Sequence, residues 1–266
     1  MKEVVVLSGK GGTGKTSIVA SFASLAQSKV LADCDVDAPD LHLLLQPSIE
    51  EDNEFWSGQT AYIDSEGCTQ CGLCQDVCRF GAIRDYTVDS VSCEGCGFCS
   101  HICPVEVIEM RENLAGRWFV SHTEYGPLVH ARLGVAEENS GKLVALVRQK
   151  AKLITEKENL EYIITDGPPG IGCPVISSLS GANLALLVTE PTLSGIHDLE
   201  RVLGVCRHFG IPVLVCINKY DINEENSYYI ENYCRKEEIE VAAKIPFDNI
   251  VTEAIAQGLP VVEFSD

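Results

Sequence analysis

Two stretches of the chain, residues 4 to 45 and 140 to 262, repeat one pattern: a short run rich in Val, Ile and Leu, then Gly, Asp or Pro, then an amphipathic segment. Apolar runs without alternation mark strands buried on both faces, and helical segments between them are the connections a parallel sheet requires. The pattern predicts strands at Val4 to Leu7, Lys29 to Ala32, Tyr162 to Thr165, Leu184 to Val188, Val213 to Ile217 and Val241 to Lys244. Several end in a polar or acidic residue, which is where an open parallel sheet holds its ligand. A helix is expected from Ser194, as N-cap, to Phe209, stopped by Gly210 with Pro212 beyond. Another is expected to start at NSGKLV, capped by Asn139 or Ser140.

Between these blocks the period changes. CTQCGLCQDVCRFGAI (68 to 83) aligns with CEGCGFCSHICPVEVI (93 to 108) at an offset of 25, matching four cysteines, Gly72 with Gly97, and Ile83 with Ile108. The duplicated unit is poor in apolar residues, so something besides burial must hold it. Its edges fall near Ala61 and Ala115, which divides the chain into an α/β domain at 1–60 and 116–266 and an inserted small α+β domain at 61–115.

Composition narrows the chemistry. With 45% apolar residues the chain has enough to bury a sizeable core. No apolar stretch approaches the ~18 residues needed to span a bilayer, and Met1-Lys2-Glu3 leads straight into a strand, so a soluble cytoplasmic protein is expected. The tail VTEAIAQGLPVVEFSD offers no basic amphipathic helix, so no stable membrane anchor is expected. A net charge of −19 disfavours nucleic acid and favours partners with a basic surface.

Of 13 cysteines, eight sit in the duplicated unit at gaps of two and three residues, which points to metal ligation rather than disulfides. Cys34, Cys173, Cys206, Cys216 and Cys234 lie in apolar or helical contexts and are expected to be buried small hydrophobes. Each half of the duplication reads C-x2-C-x2-C-x3-C. In that spacing three thiolates take three corners of one [4Fe-4S] cube, and the fourth ligates the other cube. The expected sets are Cys68, Cys71, Cys74 and Cys103 for one cluster, and Cys93, Cys96, Cys99 and Cys78 for the other. Zinc, the competing occupant, prefers paired cysteines separated by a longer loop. On these residues the segment resembles two-cluster bacterial ferredoxins, with Arg79 standing where proline is common in that pattern.

SGKGGTGKTS fits the phosphate-loop pattern G-x-x-x-x-G-K-[ST] from Gly9 to Thr16. The backbone of Gly9, Gly11, Gly12, Thr13, Gly14 and Ser17 would cradle phosphates, Lys15 would reach the β and γ groups, and Thr16 would hold Mg2+. The form KGGTGKT, with its early Lys10, resembles the deviant phosphate loop of the MinD, ParA and nitrogenase iron-protein superfamily. LADCDVDAPDL, IITDGPPG, VTEPTLSGIHDLERV and CINKYD extend the resemblance to nearly the whole chain. The resemblance implies a parallel-sheet P-loop ATPase acting as a nucleotide-dependent homodimer, with Lys10 reaching the neighbouring subunit's phosphates. It also implies that Asp33 and Asp166 serve Mg2+, that Asp35 or Asp37 orients water, and that Asn218 recognises adenine. Within that superfamily the chain resembles members carrying an inserted ferredoxin domain.

Two functions follow from the combination. In one, ATP hydrolysis gates electron transfer through the two clusters to a redox protein partner; in the other, the chain is an ATP-dependent carrier or scaffold of iron-sulfur clusters. A third treats the insert as a structural staple. His101 is a polar helix position that could touch a cluster, and His122, His130 and His197 have no partner visible in the sequence.

Overall fold

The structure, a computed structural model, describes residues 1–134 and 140–264; the candidate cap Asn139 lies outside the described residues. The first elements in chain order are β1 (Lys2–Ser8), α1 (Lys15–Leu25), β2 (Lys29–Asp33), α2 (Leu41–Leu45) and β3 (Ser48–Ile63). There follow α3 (Leu73–Val77), β4 (Ile83–Arg84), β5 (Thr87–Val88), α4 (Phe98–Ile102), β6 (Ile108–Thr123) and β7 (Gly126–Leu133). Beyond them come α5 (Ser140–Glu158), β8 (Tyr162–Pro169), α6 (Cys173–Leu179), β9 (Leu184–Thr189) and α7 (Leu193–His208). The last are β10 (Val213–Asn218), α8 (Glu224–Lys236), β11 (Glu240–Ile245), α9 (Ile250–Gln257) and α10 (Val261–Phe264). The chain divides into two compact units, one of residues 1–53, 118–132 and 140–264, the other of 54–117 with 133 and 134.

In the first unit the strands run parallel in the order β11-β10-β9-β1-β8-β2-β7. Successive residues serve opposite faces. Val5 and Leu7, Ala185 and Leu187, and Val215 and Ile217 pack with Leu199 and Leu203 of α7. Val6, Leu186, Val188 and Cys216 pack with Val19 and Ala23 of α1. Both faces are thus covered, which explains the unbroken apolar runs.

The structure corrects several expectations. Strands β3, β6 and β7 were not foreseen, and they extend one sheet edge as β7-β6-β3. In β3 nearly every residue is exposed or half-buried, so the apolar periodicity that announces a strand is missing. Helix α7 begins at Leu193 with Thr192 as its cap, the Thr192 hydroxyl accepting from the Gly195 N–H at 3.0 Å. Ser194 is inside the helix and turns its hydroxyl to Lys10. Strand β8 continues past Asp166 to Pro169, so this carboxylate lies within the sheet rather than at its end. Cys173 is exposed at the first turn of α6, whereas Cys34, Cys206, Cys216 and Cys234 are buried.

In the second unit the duplication is visible in the backbone. Gln70 and Gly95 both adopt left-handed φ, at 57° and 62°, as do Gly72 and Gly97, at 83° and 72°. The two glycines open the five-residue helices α3 and α4, which end at Cys78 and Cys103. Gly95 admits no side chain, because a Cβ there would collide with the Gln59 carbonyl. The aliphatic core is small, with Ala61, Ile63, Ile83 and Ile108 packed among six cysteines and Met110.

Candidate functional site

The phosphate loop joins β1 to α1. Gly14 stands at the helix N-terminus with φ 88°, and Gly12 has φ 81°, conformations that favour glycine. Two contacts fix the loop from the end of β10 and the residue after it: the Asn218 amide donates to the Thr13 carbonyl at 2.7 Å, and Lys219 Nζ donates to the Gly12 carbonyl at 3.1 Å. A Cβ at Gly14 would strike the Asn218 amide, and one at Gly9 would strike Asp198. Thr16 and Ser17 are half-buried in the first turn of α1, and Gly11 is exposed.

Behind the loop lies a buried acidic group. Asp33 and Asp166 are register partners on β2 and β8, with 0% and 1% exposure. Lys15 Nζ donates to Asp166 Oδ1 and lies 3.9 Å from Asp35. Burial alone would lower the lysine pKa, but Asp166, Asp33 and Asp35 outweigh it and hold Lys15 charged. Burial and the Asp166 charge push Asp33 well above the usual carboxylate range, against the pull of Lys15. Burial likewise pushes Asp35 up to about 6. Asp37 is exposed, so of the two candidate water-orienting carboxylates Asp35 is the one near Lys15.

This group fits Mg2+. Among the described residues, buried Asp166 Oδ2 and Thr13 Oγ1 have no hydrogen-bond partner, and the Asp33 and Asp166 carboxylates crowd one place, offset by Lys15 and by the Asp35 and Leu41 N–H groups that donate to Asp33. Hard oxygen donors of that kind suit Mg2+ completed by water and phosphate oxygens. Asp33, Asp166 and Thr16 are the residues that would hold it.

Lys10 faces a carboxylate that the sequence reading missed. Its Nζ lies 2.5 Å from Glu190 Oε1 and donates to Ser194 Oγ at 3.1 Å, while Lys219 Nζ sits 3.2 Å from Glu190 Oε2. Burial would raise the Glu190 pKa, but the two ammonium groups overcome it and hold the carboxyl below its ordinary range. Glu190 and Lys219 both fall inside the quoted motifs VTEPTLSG and NKYD, yet nothing in the sequence says that they meet. His130 is buried and stacks on Phe119 and His42, with Ser121 Oγ 3.0 Å from its Nε2; burial, then His42, lowers it to about 4.

The eight cysteines of the second unit stand around two cavities. The wider, about 360 Å3, is lined by Cys78, Cys93, Cys96 and Cys99 together with Phe80 and Phe98. The narrower, about 20 Å3, is lined by Cys68, Cys71, Cys74 and Cys103 with Pro104 and Val105. Burial raises the Cys74 and Cys99 thiols, and neighbouring cysteines, Cys68 and Cys71 for one and Cys93 and Cys96 for the other, push in the same direction. Among the described residues no three His, Cys, Asp or Glu side chains converge as a single metal ion would require.

The CobQ/CobB/MinD/ParA nucleotide binding domain matches residues 4–261. The chain belongs to this nucleotide-binding family. An uncharacterized protein of Methanocaldococcus jannaschii is 35% identical over 260 residues, covering 97% of this chain and 88% of its own length. The iron-sulfur cluster carrier protein of Pyrococcus horikoshii is 27% identical over 122 residues, 41% of each chain. The structure of the septum site-determining protein MinD of Pyrococcus horikoshii, complexed with Mg-ADP, superposes with a TM-score of 0.59 at 18% identity, covering 99% of this chain and 88% of that one. That likeness establishes a MinD/ParA-type parallel-sheet fold. Among the described residues no helix is long and apolar enough to cross a membrane.

Proposed function

We propose that this member of the CobQ/CobB/MinD/ParA family is a nucleotide-driven redox protein. It hydrolyses ATP as a homodimer, and the accompanying change of shape gates electron transfer through two [4Fe-4S] clusters to a partner protein. Cys68, Cys71, Cys74 and Cys103 hold one cluster, and Cys93, Cys96, Cys99 and Cys78 hold the other. The observation carrying this reading is the lining of the two cavities: each combines three closely spaced thiols of one arm with the last thiol of the other. Four thiols in this spacing, three from one arm and one from the other, suit a polynuclear cube better than zinc. A bound cluster supplies one-electron chemistry, and the protein's part is to ligate it and shape its surroundings.

On the nucleotide side the residues position and neutralise. Lys15 exchanges Asp166 for the β and γ phosphates, which frees the Asp166 carboxylate to serve Mg2+ beside Asp33 and Thr16. Asp35 orients the attacking water, with Asp37 the alternative. Lys10 leaves Glu190 and reaches the partner protomer's phosphates; a cation given in trans is worth ~10³ to 10⁵ in rate. Residues 54–117 hold more acidic than basic side chains and no lysine, which fits a partner with a basic surface.

The test is anaerobic purification followed by iron and acid-labile sulfide analysis, then dithionite reduction with MgATP or MgADP. About eight irons per chain and a nucleotide-dependent reduction rate are expected. Colourless protein sinks the cluster assignment, and equal rates sink the gating. A second reading, cluster delivery to apo-proteins, is favoured by the similarity to the Pyrococcus carrier protein. ATP-dependent transfer of labelled clusters to an apo-ferredoxin would replace the electron-transfer reading with that one.

A further inference from the structure

The two halves of the duplication superimpose at an offset of 25, so the wall of one cavity can be compared with the other residue by residue. The thiols and the helix-opening glycines correspond. Apart from Ile83 and Ile108, the residues around them differ. Arg79 lines the wide cavity where its counterpart Pro104 lines the narrow one, and Glu94 stands where the narrow one has Thr69. Phe80 and Phe98, 48% and 52% exposed, replace Val105 and Leu73.

These differences bear on how readily each site accepts an electron. Reduction adds one negative charge to an already anionic cage, so cations, N–H donors and water access favour the reduced form. Arg79 follows Cys78 directly in the chain and offers a guanidinium with five N–H donors. Glu94 opposes it in charge but cannot donate a hydrogen bond when ionised, so cancellation of the pair's net charge leaves the donor advantage intact. The narrow cavity has no charged wall residue among those described.

Resting on the reading of the eight thiols as ligands of two cubes, we propose that the sites are unequal: the one at Cys78, Cys93, Cys96 and Cys99 has the higher reduction potential, and Arg79 sets the gap. A single electron shared between the two sites then resides beside Phe80 and Phe98, whose exposed rings form the face offered to the redox partner. Arg79 is a positioning residue here, since its effect passes through the site rather than through any ligand bond.

The test is a potentiometric titration of the full chain with dithionite under anaerobic conditions, followed by electron paramagnetic resonance, for wild type, Arg79→Gln, Arg79→Lys and Glu94→Gln. Cys96→Ser identifies the wave that belongs to the wide site. Wild type should give two separated one-electron waves. Arg79→Gln should shift the upper one down by about tenfold in its equilibrium constant, ~59 mV for one electron, and leave the lower one in place. Arg79→Lys should restore part of the shift, and Glu94→Gln should move the upper wave up, which tests the idea even if Arg79→Gln fails to assemble. Coincident wild-type waves, or waves indifferent to both Arg79→Gln and Glu94→Gln, overturn this inference while leaving the clusters in place. Absence of acid-labile sulfide overturns the cluster reading and this inference with it.

Discussion

Replacing Asp35 with Asn in nucleotide-free protein should stabilise the fold, by an amount that depends on pH in a set way. Burial pushes the Asp35 carboxyl up to about 6 from an ordinary value of 3.8. Because the folded state holds this proton more tightly than the unfolded chain, the associated stability is fully present below about pH 4. It is lost as pH rises through about 6. Asn cannot ionise and keeps what Asp loses. At 1.36 kcal/mol per unit, the full shift amounts to about 3 kcal/mol. The side chain is 16% exposed and lies 3.9 Å from Lys15, so solvent and relaxation reduce the expected gain to about 1–3 kcal/mol. That corresponds to roughly 2 to 8 °C in melting temperature for a chain of this size. The assay is urea unfolding in EDTA from pH 5 to pH 8. The difference, variant minus wild type, should be about half its plateau at pH 5 and level off above about pH 7. A difference that is flat across this range, or a variant less stable than wild type at pH 8, would refute the placement of Asp35 in a crowded, desolvated acidic group.

Two further outcomes are expected. Lys10→Ala should keep nucleotide affinity close to wild type while phosphate release falls by ~10³ or more; wild-type turnover in that variant would remove Lys10 from the reaction. Crossed ligation predicts that Cys78→Ser and Cys93→Ser damage the same cluster. The double variant should therefore retain about as much iron as either single variant, whereas Cys78→Ser combined with Cys68→Ser should strip both clusters. The opposite pattern in iron content would show that each arm ligates its own cube.

The parallel strands could be read from the chain because a strand covered on both faces must be apolar throughout, as Leu184 to Val188 is. The hairpin edge could not. Strand β3 carries Glu50, Glu51, Asp52 and Glu54 on a surface that water reaches, and no burial pattern sets it apart from a loop. Local spacing brought out the three thiols of each arm that line one cavity, while the fourth, Cys103 or Cys78, comes from the other arm. The partnership of Lys10 with Glu190 was invisible for the opposite reason: the two residues are 180 positions apart and meet only because β9 lies beside β1. The cap of α7 lies two residues before the expected one because Thr192 and Ser194 are both capping types, and in the fold it is the Thr192 hydroxyl that accepts from the Gly195 N–H while Ser194 faces Lys10.

The double occupancy of Glu190 governs how easily Lys10 can be released. Stripping a buried carboxylate of its sole cation ordinarily costs about 3–5 kcal/mol, because a bare charge is left out of water. Here Lys219 stays behind on the second oxygen, anchored as well to the backbone of Gly12. In the proposed dimer, Lys10 would therefore leave Glu190 without abandoning an unpaired anion, because Lys219 holds both that carboxylate and the turn at Gly12.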